Sequence, residues 1–211
     1  RSIWVTGVQT CALPISVTDS YTPNDPSDDR LTSFSAAGPT YEGFVKPDVV
    51  APGGHMVGIM PADGYLARNY PEFRMPGGEY YKLTGTSQSA GVVSGVVALM
   101  LQANPSLTPD QVKCRLMYTA DPAVKPDGTL AYSVFQQGAG MVDAWSARYS
   151  DEGGCANRGL DVGKDLSGEA HYGGLANQNE NGEYYLAHGS GPGSTGYLWD
   201  QGLYGDRKSV V

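Results

Sequence analysis

The sequence predicts an α/β fold that runs on into a glycine-rich tail, and three observations predict it. VKPDVVAPGG (Val45–Gly54) has the length and the proline and glycine punctuation of a short buried strand. Apolar residues recur near helical spacing from Ser87 to Ala103. Thr108-Pro109-Asp110-Gln111 then carries a capping-box signature for a second helix, directly after Asn104-Pro105 ends the first.

In chain order, Thr22–Thr40 is rich in Pro, Asp, Ser and Gly and reads as loop and turn. Val45–Gly54 follows as the buried strand. Gly78–Gly85, GEYYKLTG, offers a second extended piece with aromatic and β-branched residues. In the first helix Val92, Val93, Val96, Val97, Met100 and Leu101 form the apolar stripe, and Ala90, Gly91, Ser94, Gly95 and Ala98 form a face of small residues. Glycine inside a helix costs about 1 kcal/mol relative to alanine, so Gly91 and Gly95 imply close packing against other backbone. The second helix carries Val112, Leu116 and Met117 on its apolar side. Gln136–Ala147, QQGAGMVDAWSA, reads as a turn entering a short helix. Composition shifts near Ser150 to Gly, Asn and Tyr with weak periodicity, so residues 150–205 are set apart as a tail or the start of an accessory region. A tail of this length is not expected to fold alone.

Bulk properties exclude some functions. The chain has 211 residues, 40% of them hydrophobic, and a net charge of −8, so it can bury a core and lacks the basic face that phosphate binding needs. The longest apolar run is too short and too interrupted to span a bilayer. Cys11, Cys114 and Cys155 have no metal-ligand spacing, and no metal or cofactor is expected for the chemistry. A Cys114–Cys155 disulfide is one open possibility.

The candidate chemistry lies in TGTSQSAGVVSG, Thr84–Gly95. Ser87 stands at a helix start, where unpaired N–H groups and the helix dipole favour developing negative charge. Its own N–H could serve an oxyanion. The plainer alternative is that these hydroxyls only cap the helix. Together Gly85, Thr86, Ser87, Ser89, Val93, Ser94 and Gly95 resemble the nucleophile motif of the subtilisin-like serine proteases, G-T-S-x-[SA]-x-P-x-V-[SA]-G. SFSAAGP (Ser33–Pro39), KPDVVAPGG (Lys46–Gly54), NPSLTPDQVK (Asn104–Lys113) and GAGMVDA (Gly138–Ala144) follow the family in order. The resemblance covers Val17–Ala147 and assigns residues 17–149 to the C-terminal portion of the catalytic domain.

What the resemblance implies is a parallel-sheet, three-layer fold and a serine endopeptidase. Ser87 would be its nucleophile, Thr86 would support the oxyanion side, and Gly85, Ser89 and Gly95 would complete the motif. Substrates would be polypeptides, the full-length protein a monomer, and its location secreted, with the signal peptide outside this stretch. Calcium is common in the family, but no acidic loop here has a convincing ligand spacing. Two departures stand out. Gly91-Val92 replaces the usual Pro and His after the serine. The D-[ST]-G, H-G-T and A-A-G-N motifs of the family's Asp, His and oxyanion Asn are missing, so the chain by itself is expected to be inactive. His55 lies in a turn, and His171 and His188 lie in the tail.

Two competing readings remain. An α/β-hydrolase would order Ser87 before a histidine such as His171 or His188. A non-catalytic secreted binding protein would use Tyr184, Tyr185, Tyr197 and Trp199 of the tail, against the alternative that these rings pack a small core. The chain ends carry a separate expectation. VTGVQTCALPI (Val5–Ile15) and DRKSVV (Asp206–Val211) resemble translated sequencing adapters, so residues 1–16 and 206–211 are read as foreign sequence.

Overall fold

The computed structural model describes residues 29–40, 43–179, 181–187 and 196–199. The adapter-like segments and His188 lie outside the described residues, as does the side chain of Trp199.

One main core organises the described residues, with a small second cluster of Leu31, Val50 and Met141, and the long helix α2 (Thr86–Ala103) runs along the main core, burying Val93, Val96 and Met100. Helix α3 (Pro109–Tyr118) adds Val112, Leu116 and Met117, as its periodicity predicts. Its start is the capping box read from the sequence: the Thr108 hydroxyl accepts from the Gln111 N–H, and the Gln111 side chain accepts from the Thr108 N–H. Short α4 (Val134–Gln137) inserts Val134 and Phe135, both fully buried. Helix α5 (Ala144–Tyr149) is capped by Asp143, which accepts from the Trp145 and Ser146 N–H groups, and packs Ala147 inward.

The predicted strand at Val45–Gly54 is buried as expected, with Val45, Val49 and Ala51 all in the core. Its backbone pairs in a different way. Pro47 has no N–H to give a ladder. The neighbouring groups go to the glycine turn instead: Ala139 N–H donates to Asp48 C=O, Val50 N–H to Gly140 C=O, and Val142 N–H to Val50 C=O. Parallel pairing among the described residues is the bridge Val50–Met141. Glycine is required at this turn. A Cβ on Gly138, at φ 57, would sit 2.3 Å from the Pro47 carbonyl oxygen, and one on Gly140, at φ 115, would sit 2.3 Å from that of Asp121.

Strand β1 (Met56–Ile59) pairs antiparallel with β2 (Tyr80–Leu83) in the register Met56 to Leu83 and Ile59 to Tyr80. Between them the chain makes α1 (Tyr65–Asn69) and a turn at Pro71–Phe73, where the Tyr70 and Phe73 rings stack at 6.0 Å. The sequence reading found β2 within Gly78–Gly85 but not β1 or α1.

The tail is not a structure apart. It forms α6 (Val162–Ser167), capped by Asp161 and closed by left-handed Gly168. It also forms an antiparallel sheet of β3 (Ala176–Gln178), β4 (Tyr184–Leu186) and β5 (Tyr197–Trp199). Ala176 and Leu186 join the main core, and Tyr184 meets Phe135 edge-on at 4.5 Å. The Tyr185 hydroxyl donates to the Gly174 carbonyl, which turns it inward. A disulfide joins Cys114 of α3 to Cys155.

Candidate active site

Two loops build the turn in front of α2. Gly85 N–H donates to the Gly53 carbonyl at 2.9 Å, and His55 N–H donates to the Thr84 hydroxyl at 2.9 Å. The PGGH loop (Pro52–His55) thereby holds the TGTS turn from below, and His55 takes a left-handed φ of 52° to do so. This support was not recognised from the sequence. The signal available was the Pro52-Gly53-Gly54 punctuation, which marks a turn without naming its partner.

Helix α2 begins at Thr86 with Gly85 as its N-cap, and no side chain caps it. Neither Thr86 nor Ser87 therefore serves as the capping residue, which was the plainer alternative for both. The first-turn N–H groups of an uncapped helix are the donors an oxyanion uses. Ser87 is exposed at this end, while Ser89, two residues on, is fully buried.

Between the β1–β2 hairpin and the start of α2 lies an open cavity of about 320 Å³, whose wall includes Gln88 but not Ser87. Val57 and Ile59 of β1, Tyr81 and Leu83 of β2, and Gln88 and Gly91 of α2 are among the residues that wall it. Two residues of the EYYKL segment thus face this space. Gly91 is exposed, and no described residue lies within 4 Å of where a Cβ on Gly91 or Gly95 would stand. The small-residue face of α2 is open in this structure.

The buried Val45–Ala51 floor, which leads into the PGGH loop and does not line the cavity, is fixed electrostatically. Asp48, nearly buried, accepts from Lys46 Nζ at 2.6 Å and from Lys113 Nζ at 2.9 Å. Burial holds the Lys46 ammonium below its ordinary pKa, with Asp48 pulling the other way. Through Lys113 this pair ties the segment leading to the serine turn onto α3.

His171 is held within the tail and away from this site's chemistry. His171 Nδ1 meets Asp165 Oδ1 and its Nε2 meets Asn177 Oδ1 at 2.6 Å, so both ring nitrogens are engaged within the tail. Among the described residues no group of three or more His, Cys, Asp or Glu side chains is placed to hold a metal ion, and no helix is long and apolar enough to cross a membrane.

The model of the subtilase family matches residues 2–140, a span that starts inside the adapter-like Arg1–Ser16 segment. The chain belongs to the subtilase family. Serine protease AprX of Bacillus subtilis (strain 168) is 33% identical over 138 residues, which is 65% of this chain and 30% of AprX. Subtilisin-like protease SBT1.2 of Arabidopsis thaliana is 35% identical over 127 residues, 56% of this chain and 16% of that protein. Among solved structures, fervidolysin from Fervidobacterium pennivorans aligns with a TM-score of 0.43 and 28% identity, over 58% of this chain and 17% of that one. This subtilase chain spans less than a third of the length of these relatives. Membership argues against the esterase-like alternative; of its two candidate bases His171 is engaged within the tail, and His188 lies outside the described residues. The described residues, helices with short strands around one core, form an α/β portion of the subtilase fold.

Proposed function

We propose that this chain carries the nucleophile of a serine endopeptidase, Ser87, and that the full-length protein hydrolyses peptide bonds. The observation that carries the reading is an exposed serine at the uncapped N-terminus of the 18-residue helix α2. In the assembled enzyme the Ser87 hydroxyl attacks the scissile carbonyl as a base takes its proton. The resulting oxyanion lies toward the first-turn N–H groups, including that of Ser87, with Thr86 beside it. The leaving amine departs with a proton, and water releases the acyl group from Ser87. Gly85, Ser89 and Gly95 shape the turn and helix and take no part in the chemistry.

The base, its orienting carboxylate and an oxyanion asparagine belong to other parts of the full-length protein, so the chain alone has almost no activity. The open face of α2 is where such a part packs. Gly91 and Gly95 admit a neighbouring backbone closely, and half-exposed Val57 with largely exposed Ile59 line the approach. Substrates are polypeptides, and no metal or other cofactor enters the mechanism. The protein acts outside the cell as a monomer; the Cys114–Cys155 disulfide supports an oxidising compartment.

Labelling of the full-length protein with a serine-reactive phosphonate tests the reading. One modification at Ser87, lost in Ser87→Ala, is expected. An active full-length enzyme that labels elsewhere refutes the assignment, and a folded protein that never labels favours a non-catalytic binding role.

A further inference from the structure

The segment after Ser150 is fastened to the catalytic portion along one side of α3. Arg115 Nε donates to the Glu152 carbonyl at 3.0 Å. Cys114 is bonded to Cys155. Lys113 Nζ donates to Asn157 Oδ1 at 2.9 Å, and Asn157 Nδ2 donates to Asp110 Oδ1 at 2.8 Å. Four residues of one helix therefore grip residues 152–157, and the disulfide sits in the middle of the grip.

Beyond Asn157 the attachment is slight. Helix α6 buries no residue and leaves Leu160, Val162 and Leu166 beside and on it exposed. Strands β3, β4 and β5 have three residues each. The side chains that seat this segment on the rest are Ala176 and Leu186 in the core, Leu175, Tyr184 and Tyr197 packed against it, and buried Tyr172, with ring contacts of Tyr184 on Phe135 and of His171 and Tyr172 on Phe44. A segment with so few buried apolar groups occupies the low end of local stability, and a covalent tether at its root dominates its docking.

The two sulfurs differ in access. Cys114 is fully buried, whereas Cys155 is partly exposed. We infer that the Cys114–Cys155 disulfide is a redox-operated clasp: a dithiol reductant opens it at Cys155 and releases residues 158–187 from the catalytic portion. The reductant's thiolate attacks Cys155 Sγ, a mixed disulfide forms there, and Cys114 leaves as a thiolate that takes up a proton. The second thiol of the reductant then displaces Cys155, which also ends as a thiol. Two electrons and two protons pass to the protein, and the reductant becomes a cyclic disulfide. Release uncovers the Phe135 ring and the ring of Phe44, next to the buried Val45–Ala51 floor. The inference is independent of the role of Ser87.

Hydrogen–deuterium exchange with mass spectrometry on the whole chain, before and after dithiothreitol, tests it. Alkylation of a parallel sample confirms that both thiols are free. Amides in 162–187 are expected to exchange at least about 10-fold faster after reduction, while those of α2 keep their protection and reoxidation restores the first pattern. Cys155→Ser is expected to reproduce the reduced pattern without reagent, and the reduction cycle itself needs no variant. Three results overturn the clasp: unchanged protection in 162–187 once both thiols alkylate, loss of protection in α2 and the tail together, or a disulfide that dithiothreitol cannot reduce in the folded chain.

Discussion

Replacing Asp48 by Asn keeps the shape of the floor and deletes the charge that two lysines share. In the structure Lys46 and Lys113 approach the two Asp48 oxygens at 2.6 and 2.9 Å, and their side chains are only 16% and 17% exposed. Water cannot take over the role of the carboxylate at such sites. Breaking a buried pair by removing one partner costs about 3–5 kcal/mol, because the remaining charge stays desolvated and uncompensated. Here two ammonium groups would remain beside a neutral amide, Lys113 keeping its bond to Asn157 Oδ1, which places the loss toward the lower end of that range. Set against a total stability on the order of 5–15 kcal/mol, the loss is a large fraction. With a urea slope of about 2 kcal/mol/M, the midpoint should fall by roughly 2 M. Lys113→Met should cost less, since the Lys46–Asp48 pair survives, and the double variant should cost less than the two single changes summed. A midpoint shift under about 0.3 M for Asp48→Asn would refute the idea that this ion cluster fixes the floor.

Other outcomes follow from the same geometry. Gly138→Ala should destabilise by more than about 2 kcal/mol in urea melts, because the new Cβ meets the Pro47 carbonyl at a φ of 57°. Gly91→Ala should do opposite things in two contexts. In this chain the site is open and alanine favours helix by about 1 kcal/mol, so the midpoint rises; in the full-length protein a packed neighbour makes the same change destabilising. Equal effects in both contexts would argue against a part packing on that face. The alkaline limb of the pH–stability curve should carry two opposed contributions. Lys46, lowered by burial from 10.5, binds fewer protons folded than unfolded between its lowered value and 10.5, so stability rises with pH there, and Lys46→Met removes the rise. Tyr172, raised above 10.0 by burial first and then by Asp48 and Asp165, contributes stability that is lost as pH climbs past 10.0, and Tyr172→Phe removes the fall.

The parts legible in the sequence are those whose rules are local. The α3 capping box depends on residues three apart, and the structure reproduces it bond for bond. The stripe of α2 depends on a period, and Val93, Val96 and Met100 are buried as that period requires. The hairpin partner β1 escaped because MVGI is short and has no polar alternation, while its mate lies across an irregular stretch holding α1 and a turn. Helix α6 escaped as well: its Asp161 cap and Gly168 stop were visible, but six residues without a buried side chain leave no periodic signal. The Val45–Gly54 run reads as a short buried strand; it is buried, and its pairing among the described residues is the parallel bridge of Val50 with Met141. Burial is written in its composition, whereas pairing depends on Gly138–Val142, a stretch some ninety residues later that the chain folds back onto it.

The same division applies to the site. A motif can place a serine at a helix start, and composition can show that little else in the chain supplies a base. It cannot show what holds the serine turn. That support comes from backbone groups, Gly53 C=O and His55 N–H, whose side chains give no chemical hint of the role. Nor can it separate a helix made for solvent from one made for a larger fold. Helix α2 is apolar or small almost all round, and such a helix belongs inside a protein. Here Leu99 is 45% exposed and the Gly91–Gly95 face is open. An interior helix with a face that no described residue covers, beside an exposed serine, is the surface on which the proposed base-bearing part would pack. On the proposed function, the part of the full-length protein that covers Gly91 and Gly95 would be placed to bring the base to Ser87.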